Sequence, residues 1–224
     1  MDYLSCGTME LTKRHLVDKY PDIMMAVGGH ELTKQMQTRL PDKLPLEERV
    51  AMVRTIWPHD MHYYSRVIKE KVMCVILDNS RSRFLPEQKE KLLSDIETCR
   101  REGLVMLIFA HEPIFNNDPE NTVILANIWN SGAYQKMNML ERAIVVGRED
   151  CDEVTIDIYR TIIENADVVR AFVAGHWHSQ FYIEIKGSYK DENGQSVPAV
   201  IPQFVISGNP YFKDGGYMAR ITVR

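Results

Sequence analysis

Four stretches of the chain are almost free of polar residues: Ile23 to Val27, Val72 to Leu77, Leu104 to Ala110 and Val168 to Ala174. Each has the length of a strand, and an unbroken apolar run suits a strand covered on both faces, as in a parallel sheet. Between the runs the spacing of apolar positions changes to that of helices. Glu87 to Arg101 is the clearest, with Leu92, Leu93 and Ile96 on one face, Pro86 where a first helical turn tolerates it and Gly103 to end it. Thr155 to Asn165 repeats the pattern through Ile156, Tyr159, Ile162 and Ile163, and Glu10 to Tyr20 is a third helical stretch. Alternating strand and helix predicts an α/β architecture.

The tail has a different pattern. Phe181 to Ile185, Val197 to Ile206 and Ala219 to Val223 carry strand-type residues, separated by turn chemistry at Asp191-Glu192-Asn193-Gly194 and Asp214-Gly215-Gly216. An antiparallel ending is expected. Leu40 to Trp57 begins with prolines and predicts at most a short helix, and Asn116 to Gly147 predicts a long surface excursion. There is no internal repeat or low-complexity tract.

Composition narrows the function classes. The 224 residues are 45% hydrophobic and 26% charged, which is globular rather than disordered or fibrous. They amount to roughly 1.5 typical domains, so one large domain is expected. A formal charge of −4 gives no general field for nucleic acid or an anionic membrane. An anionic substrate would need local positive charge. Cys6, Cys74, Cys99 and Cys151 are scattered without a Cys-x-x-Cys pair, which indicates neither a zinc knuckle nor a compact disulfide framework and suits a reducing, cytoplasmic setting. No window has the apolar length of a membrane span, and the first twenty residues lack the apolar centre of a secretion signal. The chain reads as soluble and unexported.

Four of the seven histidines follow apolar runs: His30 after Gly28-Gly29, His111 after Ala110, and His176 and His178 after Gly175. In open α/β sheets the carboxyl ends of the strands form the ligand-binding edge, so these positions converge from distant sequence. Imidazole is the commonest protein ligand for transition metals, and His176-x-His178 puts two rings on one side of an extended segment. A single such histidine is more often structural, whereas three strand ends together favour a metal site. His15, His59 and His62 lack that setting, which favours surface or packing roles. Asp78, ending the second run, suits either a carboxylate ligand or a turn cap. Glu31 beside His30 could orient that ring. Arg81 and Arg83 could meet a phosphate, although arginines near a turn are usually solvated. No phosphate-binding glycine loop, Gly-x-Gly-x-x-Gly fingerprint or Gly-x-Ser-x-Gly elbow is present.

Gly28-Gly29-His30-Glu31, then Phe109-Ala110-His111-Glu112-Pro113, then Ala174-Gly175-His176-Trp177-His178 resemble, in order and spacing, the later motifs of the calcineurin-like metallophosphoesterases. The resemblance implies a metallophosphoesterase-type β-sandwich flanked by helices in αββα layers, with a two-metal site at one edge that activates water for attack on phosphorus. It also implies roles. His111 and His176 would hold one divalent transition metal (Mn, Fe or Zn) and His178 another, while His30 would contact the phosphate and protonate the leaving oxygen, oriented by Glu31. The partner implied is a phosphate-ester substrate, including a nucleotide, with no nucleic acid or membrane.

The family's Asp-x-His and Gly-Asp-x-x-Asp motifs do not occur upstream of His30, and Gly29 stands where the family has asparagine. Residues 1–224 therefore read as one calcineurin-like phosphoesterase domain, amino-terminally incomplete and lacking the first strands, with an exposed apolar sheet edge expected. Without a bridging carboxylate, two cations lack the negative charge that offsets their repulsion. The expectations are partial occupancy by one metal on three histidines and impaired hydrolysis of phosphate mono- or diesters. The alternative is a non-catalytic binding module on a phosphoesterase scaffold, which would bind a partner and no metal.

Overall fold

The computed structural model describes residues 6–32, 44–118, 122–123, 146–176, 181–206 and 220–222. The described strands form one mixed sheet flanked by helices. They are β1 (Tyr63–Ile68), β2 (Val72–Leu77), β3 (Val105–Phe109), β4 (Thr122–Val123), β5 (Val169–Ala174), β6 (Phe181–Lys190) and β7 (Ser196–Val205). Their order is β1-β2-β3-β5-β7-β6-β4. The pairs β2–β3, β3–β5 and β5–β7 are parallel, while β1–β2, β7–β6 and β6–β4 are antiparallel. Four parallel strands thus end at one edge of the sheet.

The pleat divides their side chains between two faces. Met73, Val75 and Leu77 of β2, Met106 and Ile108 of β3, and Phe172 of β5 pack against α4 (Pro86–Glu102) and α5 (Glu153–Ile163) in the main core. Local chemistry sets the ends of those helices. Pro86 begins α4, the Gln88 side chain accepts the Leu85 N–H at 2.6 Å, and Gly103 ends it in the left-handed conformation at φ 67°. Asp152 caps α5 by accepting the Thr155 N–H at 3.0 Å.

The opposite face carries Cys74, Ile76, Phe109 and Val173. These line a cavity of about 430 Å³ together with Met24 and Ala26 of the first apolar run. That run corrects the expectation of a strand over Ile23 to Val27, because it pairs with no described strand. Side chains take its backbone hydrogen bonds instead. The Met25 N–H donates to His59 Nε2 at 2.9 Å, and Trp57 Nε1 donates to the Met25 carbonyl at 3.2 Å. Arg66 holds the preceding turn through the Asp22 carbonyl and carboxylate.

The run leads into α2 (Gly29–Leu32), and a second small core gathers Val27 and Leu32 with Val53, Ile56, Trp57 and Met61 around α3 (Leu46–Arg54). Buried Arg49 of α3 donates to the Leu32 carbonyl, fixing the two helices together. At the amino end, α1 (Cys6–Thr12) continues as a π-helical turn over Lys13–Val17, so the helical stretch begins and ends earlier than the expected Glu10 to Tyr20.

The β6–β7 hairpin matches its turn chemistry. The Asp191 carboxylate accepts the N–H groups of Asn193 and Gln195, and Gly194 has a φ of 75°. Residues 220–222, within the expected third tail strand, are not in a strand. The Asp214-Gly215-Gly216 turn and most of the excursion from 116 to 147 lie outside the described residues. At the far side, outer strand β1 leaves Val67 and Ile68 40% and 36% exposed.

Candidate active site at the carboxyl ends of the strands

His111 and His176 follow the ends of neighbouring parallel strands β3 and β5, and the ladder between those strands continues past both. The Ala110 N–H donates to the Val173 carbonyl at 3.1 Å and the Gly175 N–H to the His111 carbonyl at 3.0 Å. The two rings meet edge to face, with His111 Nε2 3.1 Å from His176 Nδ1. Two nitrogens bound side by side to one transition metal at ordinary bond lengths lie about 3.0–3.4 Å apart, so the separation suits a shared cation as well as a shared proton. His176 has a positive φ of 66°, a conformation that is unfavourable for a residue with a side chain and recurs at functional sites.

The Gly28-Gly29 loop reaches the same place. A Cβ at Gly28 would lie 2.7 Å from Glu31 Oε2 and 3.1 Å from both Nδ1 and Cε1 of His111. A side chain at this position would have to push both groups aside. The buried Glu31 carboxylate and the Nδ1–Cε1 edge of His111 thus both face Gly28. A carboxylate on that side of a metal-binding imidazole can fix its tautomer and orientation. Sequence spacing pointed Glu31 toward His30, which lies half-buried beside it on α2.

Buried polar side chains brace the loops below. Asn79 Nδ2 donates to the Glu112 carbonyl at 2.6 Å, and Asn79 Oδ1 accepts the Glu112 N–H at 2.8 Å. The Glu112 carboxylate accepts the Ser82 hydroxyl at 2.7 Å. Burial pushes the Glu112 carboxyl pKa up, with the Asp78 charge adding, and the Ser82 hydrogen bonds oppose it. Gln203 of β7, fully buried, takes the N–H and carbonyl of Ile114. Asn79 and Gln203 do not stand out in sequence, because an amide that joins distant segments has no local pattern, and the bracing role of Glu112 is not visible in its motif.

Asp78 is placed differently from a metal ligand. It is 2% exposed, its Oδ2 lies 2.8 Å from His62 Nδ1, and its Oδ1 accepts the Ser80 N–H and hydroxyl at 3.0 and 2.7 Å. His62 thus has a specific polar partner. The expected turn-cap role of Asp78 is present through Ser80. His59 stacks on Tyr64 at 4.3 Å, which agrees with a packing role, and His15 is exposed on the π-helical turn.

Among the described residues no group of three or more His, Cys, Asp or Glu side chains is arranged to hold a metal ion. His178 and Trp177 lie outside those residues. The fit to a cation therefore rests on two imidazoles, His111 and His176, with the Glu31 carboxylate beside one of them. No family model and no curated protein matches the chain.

Proposed function

We propose that this chain is a metal-dependent phosphoesterase unit whose site lies at the carboxyl ends of β3 and β5. The approach of His111 Nε2 to His176 Nδ1 at 3.1 Å carries this reading, supported by the three histidine motifs in their order along the sequence. His111 and His176 would hold a divalent transition metal, with His178, two residues further along the sequence, as the next ligand. Such an ion supplies Lewis-acid polarisation of a phosphoryl oxygen and makes its bound water easier to deprotonate.

The chain's own residues do the rest. His30, on the short helix after Gly28, would hold a phosphate oxygen and give its proton to the leaving group. Glu31 would keep a neighbouring imidazole in one tautomer. The Asn79–Glu112 clasp and the Gly175–His111 hydrogen bond fix where the two imidazoles sit, so little ordering is left for substrate binding. The metallophosphoesterase-type sandwich belongs to this proposal, as does a reducing compartment such as the cytoplasm, which suits the free thiols of Cys74, Cys99 and Cys151.

The 224-residue sequence has no bridging carboxylate of the family type upstream of His30. Hydrolysis by this chain alone is therefore expected to be slow. In an assay with an aryl phosphate and manganese, the expected result is weak hydrolysis that needs the metal and falls at least about tenfold in His111→Ala or His176→Ala. Rapid hydrolysis would contradict the impaired site, and metal-independent hydrolysis would contradict the assignment itself. Gly29 at the family's asparagine position favours the second reading, a binding module, which predicts no hydrolysis and no metal uptake.

A further inference from the structure

A cavity of about 570 Å³ opens between α3 and the connection from β2 to α4. Leu46 and Val50 of α3 and Leu85 ahead of α4 give it apolar walls, and Arg81 and His62 are the less exposed of its polar lining. Arg54, Glu47 and Glu87 are exposed around it. Among the described residues neither Arg54 nor Arg81 forms an ion pair or hydrogen bond, although both carboxylates line the same space.

His62 is held for use on that side. Its Nδ1 faces Asp78 Oδ2 at 2.8 Å, and its carbonyl accepts both the Asp78 N–H at 3.1 Å and Gln88 Nε2 at 2.7 Å. A buried carboxylate that accepts from Ser80 on one oxygen and from the ring on the other places the proton on Nδ1. Nε2 is then the ring nitrogen left to a ligand, and an oxyanion there accepts from an Nε2–H, so the ring would bind it as an imidazolium backed by the Asp78 carboxylate. The loop that carries Arg81 is itself fixed at Ser80 by Asp78 and at Ser82 by Glu112, so the guanidinium projects from a braced backbone. Such a fork matches the planar oxygens of a carboxylate or phosphate.

We propose that this cavity binds a small organic oxyanion. Its charged group would lie against Arg81 and His62, with Arg54 at the mouth, and its apolar body would lie against Leu46, Val50 and Leu85. Glu47 and Glu87 repel the same charge, which restricts entry to one orientation of the ligand. Neither His111 nor His176 lines the cavity and binding there needs no metal, so its test is independent of the phosphoesterase reading.

The test is calorimetric titration of the full chain with phenylphosphonate, which has a dianionic head and an apolar ring and is not hydrolysed, with chelator present throughout. Saturable binding is expected, tighter than that of inorganic phosphate. It should weaken by about tenfold or more in Arg81→Ala, weaken less in Arg81→Lys, tighten in Glu47→Gln and stay unchanged in Arg83→Ala, whose residue does not line the cavity. Thermal unfolding of Arg81→Ala should match the parent, and Arg81→Lys covers the case where it does not. Absence of saturation, equal binding by Arg81→Ala and the parent, or equal weakening by Arg83→Ala would each overturn the proposal.

Discussion

The Met25 N–H has no strand beside it and donates to His59 Nε2, while His59 Nδ1 lies 2.8 Å from the Asp60 carbonyl. A ring that accepts on one nitrogen and donates on the other is neutral. Burial is the largest influence on it and pushes its pKa below the ordinary histidine value, as does Arg66, while the Asp60 carbonyl and carboxylate push the other way. A depressed folded-state pKa holds stability above the unfolded value, near 6.5, and loses it as pH falls below that value. The proton resonance of His59 should therefore titrate with a midpoint below about 6.5, and the thermal midpoint should drop between about pH 7 and pH 5.5. His59→Gln should flatten that drop. A midpoint at or above the ordinary value would contradict the assigned hydrogen bonds. His59 was legible as a packing residue from its aromatic surroundings. Its capping of an apolar run was not, because its partner Met25 lies 34 residues away.

At the scale of elements, the helices are held by local rules that can be measured one at a time. Asp152 accepts both the backbone N–H and the hydroxyl of Thr155, at 3.0 and 2.9 Å. Asp152→Ala should therefore lower unfolding free energy in a denaturant titration by about 1 kcal/mol. No measurable loss would show that the cap contributes nothing to α5. Pro86, Gly103 and the apolar stripe of Leu92 and Ile96 made α4 readable, since each acts within one turn of its own position. The run from Ile23 to Val27 misled for the opposite reason. Its residues are as apolar as those of β2, but a strand needs a neighbour, and among the described residues this segment has side chains of 57–59 there instead. Length and hydrophobicity specify burial, and pairing decides whether burial becomes a strand.

For the whole molecule, parallel strands β2, β3, β5 and β7 deliver their carboxyl ends to one edge, and the candidate site forms there from segments far apart in sequence. That convergence was legible in the histidines after Ala110 and Gly175. The braces beneath it and the partnership of His62 with Asp78 were not, since they depend on which loops become neighbours. No helix among the described residues is long and apolar enough to cross a membrane. A net charge of −4 gives no general attraction for an anion, so the proposed substrate would depend on local charge at the strand ends. The central claim is that His111 and His176 share a cation, and equilibrium metal binding tests it most directly. With manganese or zinc, the full chain should take up one weakly held ion, and uptake should be lost in both His111→Ala and His176→Ala. Uptake that survives both substitutions, or none by the unsubstituted chain, would contradict the account.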